Sequence, residues 1–204
     1  GPGQPPPSAL RPSDYRILAK GTGNDNWVAG LDSSYRIVAA AAGANGLVPN
    51  WVNSSGAAVN GPGNDPNGVY FGYDACRTPW RIGLDYCESG EPRAKTYLDK
   101  IVSFYAAQAP IGLGTIKDGY TSTGGDPAGT LGNYAAGMGF FGPAAVAAMS
   151  GGHDAFLTMS SQALGSNTTE QSKMNLEGVF TYYHASWGVL SLLPLSGNFW
   201  NMLP

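Results

Sequence analysis

Residues 73–81 read YDACRTPWR, and this stretch decides how the rest of the chain is interpreted. The Thr78-Pro79 pair predicts the N-cap and the first residue of a helix, because Thr can accept backbone N–H bonds and Pro is tolerated at that position. Asp74 then lies just before the positive end of the helix dipole, which favours an ionised carboxylate. Such a carboxylate suits a general base that takes a proton from water. The ordinary alternative is a helix cap held by an ion pair with Arg77.

Amphipathic patterns on both sides of this stretch predict further helices. Residues 25–42 carry apolar side chains at spacings of four, four and three between Trp27 and Val38, and residues 91–109 carry a longer apolar stripe. Further helices are predicted at 142–150, 154–164 and 182–195. Because no alternating strand of five or more residues occurs, the sequence predicts an all-α protein.

The segments between the predicted helices are unusually long. Residues 43–73 and 110–141 are rich in Gly and aromatic side chains and show little periodicity. Loops of this length inside a compact domain usually line a site, so we expect helical hairpins whose long loops gather at one end. Residues 1–9, GPGQPPPSA, predict an extended Pro-rich tail, which leaves 10–204 as one domain.

The composition excludes two kinds of partner. The chain has 204 residues, of which only 12% are charged, and its formal net charge is -3. A basic surface for nucleic acid is therefore absent. No apolar run approaches the roughly 18 residues of a membrane helix, so a membrane partner is not expected either.

The sequence offers no pattern for a metal or a cofactor. His153 and His184 have no Cys or carboxylate at a spacing suited to zinc, and the Gly-rich stretches do not follow a strand as phosphate loops do. Cys76 and Cys87 would lie about 15 Å apart in a helix, too far for a disulfide. We expect both to be buried free thiols, and we expect no bound metal or cofactor.

Three motifs in order resemble glycoside hydrolase family 8: residues 46–51 (GLVPNW), residues 73–81, and residues 192–199 (LLPLSGNF). The similarity runs from about Arg11 to Phe199 and corresponds to the C-terminal half of a family member. The resemblance implies an (α/α)6 barrel, of which this chain forms about half. It also implies inverting endo-hydrolysis of β-1,4-linked polysaccharides of the cellulose and β-glucan type, with xylan and chitosan as further possibilities within the family.

The resemblance also implies roles for single residues. The family's catalytic base falls on Asp74, with Tyr73 and Arg77 as the neighbours that position it and the attacking water. Where the family commonly has Pro-Asp-Trp, this chain has Asn50, which removes a charge at that position. Three aromatic residues are candidates for the sugar-binding platform, with core packing as the alternative: Trp51, Tyr182 and Tyr183.

The family's catalytic acid has no counterpart in this sequence, because the segments that carry the acid Glu and an Asp-Ala-Asp motif are not in it. Asp85 and Glu88 are predicted too far along the helix from Asp74, and Glu170 and Glu177 lie in a polar stretch. We therefore expect the acid to come from a second chain that carries the N-terminal half of the barrel. This chain alone is then expected to be inactive.

A half barrel also predicts an uncovered apolar surface. The stripe of Trp80 with Leu84 and the run 142–150 would face no partner within this chain, so a second chain should cover them. The alternative is a non-catalytic glycan-binding or self-assembling protein derived from such an enzyme. The low charge and the many Gly, Ser, Asn and aromatic residues are typical of secreted carbohydrate-active proteins, so we expect an extracellular location.

Overall fold

The computed structural model describes residues 6–110, 112–129, 131–133, 136–173 and 179–199, with side chains described except at 167–173 and 179–181. Within these residues, seven α-helices carry the fold: α1 (Pro12–Thr22), α2 (Asn26–Ala41), α3 (Thr78–Ser89), α4 (Pro92–Gln108), α5 (Met138–Ala148), α6 (Asp154–Lys173) and α7 (Val179–Leu195). Extended backbone pairs only at isolated bridges in this part of the chain. The all-α prediction is confirmed.

The helices form two rows. In the inner row α5 packs against both α3 and α7, and α1 packs against α3. In the outer row α4 contacts α3 and α5, α6 contacts α5 and α7, and α2 contacts α1 and α4. The inner helices α1, α3 and α5 are therefore each followed by an outer one, which is the arrangement of consecutive helical hairpins. The rows end at α1 with α2 on one side and at α7 on the other.

Helix α5 is the centre of the inner row, and every residue from Met138 to Ala148 is buried. Small side chains make this possible, because Gly139 and Gly142 face α7 at distances that admit no side chain. The helix begins four residues before the predicted start at 142, so Pro143 lies inside it. Pro143 is the sixth residue of the helix, so it removes the hydrogen bond that an N–H at this position would donate to the Gly139 carbonyl.

Several predictions about the elements are confirmed and others are wrong. Helices predicted at 25–42 and 91–109 are α2 and α4. Helix α1 was missed, and α6 continues well past the predicted end at 164. Part of the predicted extended tail is folded: Pro7–Ala9 forms a 3-10 turn in which Pro7 and Ser8 are buried against α3, whereas residues 1–5 lie outside the described residues.

The predicted uncovered stripe is also wrong, because the chain covers it. Trp80 and Leu84 are buried, as are residues 142–148. The Trp80 ring meets Trp187 at 5.8 Å and Phe199 at 5.6 Å between centroids, and its indole N–H donates to the Leu190 carbonyl at 3.1 Å. Helix α7 and the residues after it therefore close over the inner face of α3.

The two cysteines are both free, as predicted, and Cys76 is buried. Cys87 is exposed, which corrects the expectation of two buried thiols. It lies in the last turn of α3, where the helix leaves the core. No helix within the described ranges is long and apolar enough to cross a bilayer.

Candidate active site

Asp74 lies directly before the 3-10 turn Ala75–Arg77, which runs without a break into α3. Because the backbone is already helical at Arg77, Thr78 is not the N-cap that the sequence predicted, and its buried hydroxyl has no hydrogen-bond partner. The Asp74 side chain makes no capping bond to the backbone of the turn. The Asp74 carboxylate therefore does not serve as a helix cap, and both of its oxygens are available for other hydrogen bonds.

Two donors hold the Asp74 carboxylate from different sides. The Arg77 guanidinium donates to Oδ1 at 2.6 Å and also to the Asp74 carbonyl at 3.1 Å. The Trp51 indole N–H donates to Oδ2 at 3.2 Å. The Asp74 side chain remains 44% exposed, so a water molecule can reach an oxygen whose orientation is already fixed.

The Asn50 side chain holds the backbone of the same turn by hydrogen bonds. Its Oδ1 accepts the N–H groups of Asp74 at 3.1 Å and Ala75 at 2.9 Å, and its Nδ2 donates to the Asn67 carbonyl at 3.0 Å. One buried amide thus meets two donors and one acceptor. A carboxylate at this position could not donate to Asn67, which explains why a neutral amide suits this turn.

Tyr73 packs beside the carboxylate, on a cluster of aromatic rings. Its ring makes edge contacts with Phe140 at 5.0 Å and with Tyr183 at 5.6 Å between centroids. Its hydroxyl donates to Oδ2 of Asp118 at 3.3 Å. Burial, and then the charge of Asp118, raise the pKa of Tyr73 to about 12, so its phenol stays protonated at neutral pH.

The three predicted platform residues occupy different surroundings. Trp51 is half-buried and contacts Asp74 directly. Tyr183 is half-buried, and its hydroxyl donates to the Tyr73 carbonyl at 2.8 Å beside the Cys76 thiol, so its polar end supports the loop. Tyr182 is 71% exposed on α7, so its ring faces solvent. The geometry brings Trp51 and Tyr183 to the Asp74 loop, and Tyr182 stays apart.

Asp118 and His184 complete the surroundings of Tyr73, and no sequence pattern assigned them a role at this site. Asp118 is buried on the long loop after α4. The His184 ring lies 6.2 Å from the Tyr73 ring, and its Nδ1 accepts the Gly139 N–H at 3.0 Å. Burial lowers the pKa of His184, which keeps that acceptor available. Only the length of loop 110–141 signalled that it would supply such residues.

The carboxylate does not lie in an enclosed cavity. A groove of about 300 Å³ between α2 and α4 and a hollow of about 340 Å³ beside Trp80 both lie away from Asp74. Within the described residues, no group of three or more His, Cys, Asp or Glu side chains is placed to hold a metal ion. Asp74 therefore stands on an open surface flanked by aromatic rings.

The described structure consists of two rows of helical hairpins, and an exposed carboxylate held by two donors lies where an inner helix begins. The model of the glycosyl hydrolases family 8 matches residues 5–196, so the chain belongs to that family. The resemblance in the sequence motifs is thereby confirmed.

Curated relatives match nearly all of this chain. It is 35% identical over 197 residues to endoglucanase C of Ruminiclostridium cellulolyticum, covering 96% of this chain and 38% of the relative. It is 30% identical over 206 residues to a beta-glucanase of Niallia circulans, covering 95% of this chain and 47% of the relative. The chain thus spans less than half the length of these relatives.

Solved structures match the fold over a similar share. The apo beta-1,3-1,4-glucanase of Paenibacillus sp. X4 superposes with a TM-score of 0.80 at 25% identity, covering 98% of this chain and 51% of that one. A family 8 protein of Teredinibacter turnerae in complex with xylobiose superposes with a TM-score of 0.79 at 23% identity, and the match covers 99% of this chain and 48% of that one. The helical hairpins are therefore those of an (α/α)6 barrel, and the chain corresponds to about half of it.

Proposed function

We propose that this chain is the C-terminal part of an inverting glycoside hydrolase that cleaves internal β-1,4 bonds of a cellulose or β-glucan type polysaccharide, with Asp74 as the general base. The observation that carries this proposal is the Asp74 carboxylate itself, which is exposed yet held by Arg77 and Trp51. Family membership and the names of the relatives, endoglucanase and beta-glucanase, support the substrate class.

In the proposed reaction Asp74 removes a proton from a water molecule as the water oxygen attacks the anomeric carbon. The bond from that carbon to the glycosidic oxygen breaks, and an acid on the opposite side protonates the leaving oxygen. Arg77 and Trp51 fix the two oxygens of the base, which lowers the entropic cost of reaching the reactive geometry. The product sugar is released with inverted configuration.

We propose that the acid comes from a segment outside this chain. An inverting pair needs its carboxyl groups about 6.5–9.5 Å apart. Glu88 and Glu91 lie at the far end of α3 from Asp74, where Ser13 and two arginines bind them. Glu177 and the side chain of Glu170 lie outside the described residues. On this proposal the chain does not turn over polysaccharide by itself.

A second chain that supplies the N-terminal half of the barrel is part of the proposal. Its support is the distribution of exposed large apolar side chains, which within the described residues occur only toward the two ends of the helical rows. They are Leu18, Val28, Tyr182, Val189, Leu190 and Phe199. Apolar side chains gathered at two edges favour contact with further protein. We also propose that the protein acts outside the cell, on the basis of its low charge.

The test is hydrolysis by the protein together with any polypeptide that purifies with it. Reducing-end release is measured on β-glucan, cellulose, xylan and chitosan, and the anomer formed first is identified by NMR. We expect the α-anomer from a β-linked substrate. We expect Asp74→Asn to lower the rate by at least a factor of about 1,000, because the base loses its ability to accept a proton.

Asp126→Asn serves as the matched control, since Asp126 is an exposed loop carboxylate paired with Lys117. Both variants should unfold at the same urea concentration as the wild type. Turnover retained by Asp74→Asn contradicts the assignment of the base. Glycan binding without reducing-end release, in a sample with no second polypeptide, supports the non-catalytic alternative instead.

A further inference from the structure

We propose that Asp118 is a positioning residue for this reaction: it orients the Tyr73 hydroxyl so that the oxygen lone pairs of Tyr73 face the sugar beside the general base. This inference rests on the proposed function, because it concerns the same site. It adds a residue from a different part of the chain, 44 positions after the base in the printed sequence.

The pairing of two loops brings Asp118 to Tyr73. Phe71 and Tyr120 form an antiparallel bridge, with N–H to O distances of 2.9 and 3.0 Å in the two directions. Tyr73 and Asp118 each lie two residues from this bridge, on the same side of it, and their side chains meet there. The backbone bridge therefore brings the two segments together, and the side-chain hydrogen bond completes the pair.

The Asp118 carboxylate is held in place by hydrogen bonds, because each of its two oxygens accepts a donor. Oδ1 accepts the N–H of Gly132 at 2.9 Å, and Oδ2 accepts the hydroxyl of Tyr73 at 3.3 Å. The side chain is buried. Gly119 allows the Gly132 backbone to come this close, because a Cβ at 119 would lie 3.0 Å from the Gly132 nitrogen and 2.8 Å from Leu131 Cβ.

A carboxylate has no proton to donate, so Tyr73 must be the donor in this bond. The phenol hydrogen then points toward Asp118, and the lone pairs of the phenol oxygen point elsewhere. The rest of Tyr73 is fixed as well, since its carbonyl accepts the Tyr183 hydroxyl and its ring packs on Phe140. Only the hydroxyl torsion remains, and Asp118 sets it.

This orientation matters because the reaction develops positive charge on the sugar ring. A phenol oxygen that presents lone pairs, with a buried negative charge behind its proton, stabilises that charge without having to reorient. Because Tyr73 directly precedes Asp74, the same loop carries both the base and the oriented oxygen. Asp118 acts through Tyr73 and does not itself touch the substrate.

The test combines two single variants and their double variant. In Asp118→Asn the amide offers one acceptor and one donor, so it cannot accept both existing bonds. We expect kcat to fall on the order of 10- to 100-fold, with KM within about twofold. Tyr73→Phe should cause a similar loss. The double variant should lose no more than Tyr73→Phe alone, whereas two independent structural effects would multiply.

A spectroscopic readout separates this inference from the proposed function. With tyrosines labelled by ¹³C at Cζ, the resonance missing in Tyr73→Phe identifies Tyr73. That resonance should move in Asp118→Asn but not in the control Asp126→Asn, and the Tyr15 resonance on α1 should stay in place. An unchanged Tyr73 resonance, or multiplicative losses in kcat, overturns the role of Asp118. Absence of turnover by the wild type together with the polypeptide that purifies with it, combined with a shifted resonance, instead contradicts the proposed function alone.

Discussion

Asn50 illustrates at the scale of one residue how the turn that carries the proposed general base is held by a neutral side chain. The amide oxygen accepts the N–H groups of Asp74 and Ala75, and its nitrogen satisfies the Asn67 carbonyl. All three bonds lie away from solvent, where an unpaired polar group is costly. The position therefore controls both the stability of the turn and the direction of the Asp74 side chain.

We expect Asn50→Ala to lower the free energy of unfolding by about 2 kcal/mol, because it leaves two N–H groups and one carbonyl without their partner. Urea unfolding followed by circular dichroism measures this change. Asn60→Ala is the control, since Asn60 is exposed and bonds only Asn64, and it should change the value by less than about 0.5 kcal/mol. Equal changes in the free energy of unfolding for the two variants would show that the three hydrogen bonds of Asn50 do not stabilise the fold more than an exposed pair does.

The residues of the candidate active site were predictable from the sequence only where a motif carried them. Asp74, Tyr73 and Arg77 are adjacent in one motif, and the structure brings them together as that motif implied. Asp118 and His184 carry no local signal, because their place beside Tyr73 depends on the pairing of two loops and on the packing of α7. Contacts between distant segments of Gly-rich loop leave no periodic pattern in a sequence.

The packing of α5 against α7 is the most extensive helix–helix contact that the structure describes. A Cβ at Gly139 would lie 2.6 Å from Cε1 of Tyr183 and 3.0 Å from Nδ1 of His184. The Tyr183 ring cannot swing away freely, because its hydroxyl is bonded to the Tyr73 carbonyl. Close approach of these two helices is therefore linked to the position of the loop that carries Tyr73 and Asp74.

We expect Gly139→Ala to destabilise the protein by about 1 to 3 kcal/mol, as overpacked cores do. The matched control is Gly165→Ala on α6, where a Cβ meets nothing within 4 Å. That change should be neutral or stabilise by up to about 1 kcal/mol, since Ala favours helix over Gly. Thermal unfolding of both variants checks this, and a stabilised Gly139→Ala would contradict the contact described here.

Among the helices, the bounds of the long amphipathic ones were predictable from the sequence, whereas those of α5 and α1 were not. Helices α2 and α4 carry apolar stripes that face one side, so periodicity alone located them. Helix α5 is buried on all sides and has no polar face to mark its start, and Pro143 suggested a beginning four residues too late. Helix α1 was missed because its buried residues are few and include Pro12 and Ser13.

A network of charged side chains ties the first four helices together. The carboxylate of Asp85 on α3 is fully buried, and it accepts bonds from Arg16 of α1 and from Tyr35 of α2. Glu91, at the start of α4, accepts from Arg16 at 2.6 Å and from Arg93 at 2.8 Å. The bonds from Arg93, and then that from Arg16, lower the pKa of Glu91 to about 2 although burial opposes the shift.

This pKa predicts a pH dependence of stability for the whole molecule. Because Glu91 is a stronger acid in the folded state, its stabilisation is complete above its unfolded pKa of about 4.5 and is lost as the pH falls through about 2. We expect Glu91→Gln to cost about 2 kcal/mol at pH 7 and progressively less between pH 4.5 and 2.

Urea unfolding of wild type and variant at pH 7, 4, 3 and 2.5 gives this difference directly. Asp99→Asn is the control, since Asp99 forms a part-exposed pair with Lys95 on α4. Its effect should stay below about 0.5 kcal/mol throughout. A Glu91→Gln cost that remains constant down to pH 2.5 would contradict the role assigned to this carboxylate.

The two ends of the helical rows carry the exposed apolar side chains on which the proposed association with a second polypeptide depends. Val28 is 45% exposed at the α1–α2 end, and Val189 is 50% exposed on α7 at the other. If protein packs on both ends, a charge placed on each must be desolvated in the contact, which is costly without a partner charge.

We expect the double variant Val28→Lys/Val189→Lys to lose at least about 90% of the associated polypeptide, whether companion or second copy. Intact-mass analysis and light scattering of the purified sample measure this loss. Ala107→Lys, on the exposed side of α4, adds the same charge away from both ends and should leave association unchanged. Equal association of all three proteins would show that these apolar edges face solvent in the working molecule.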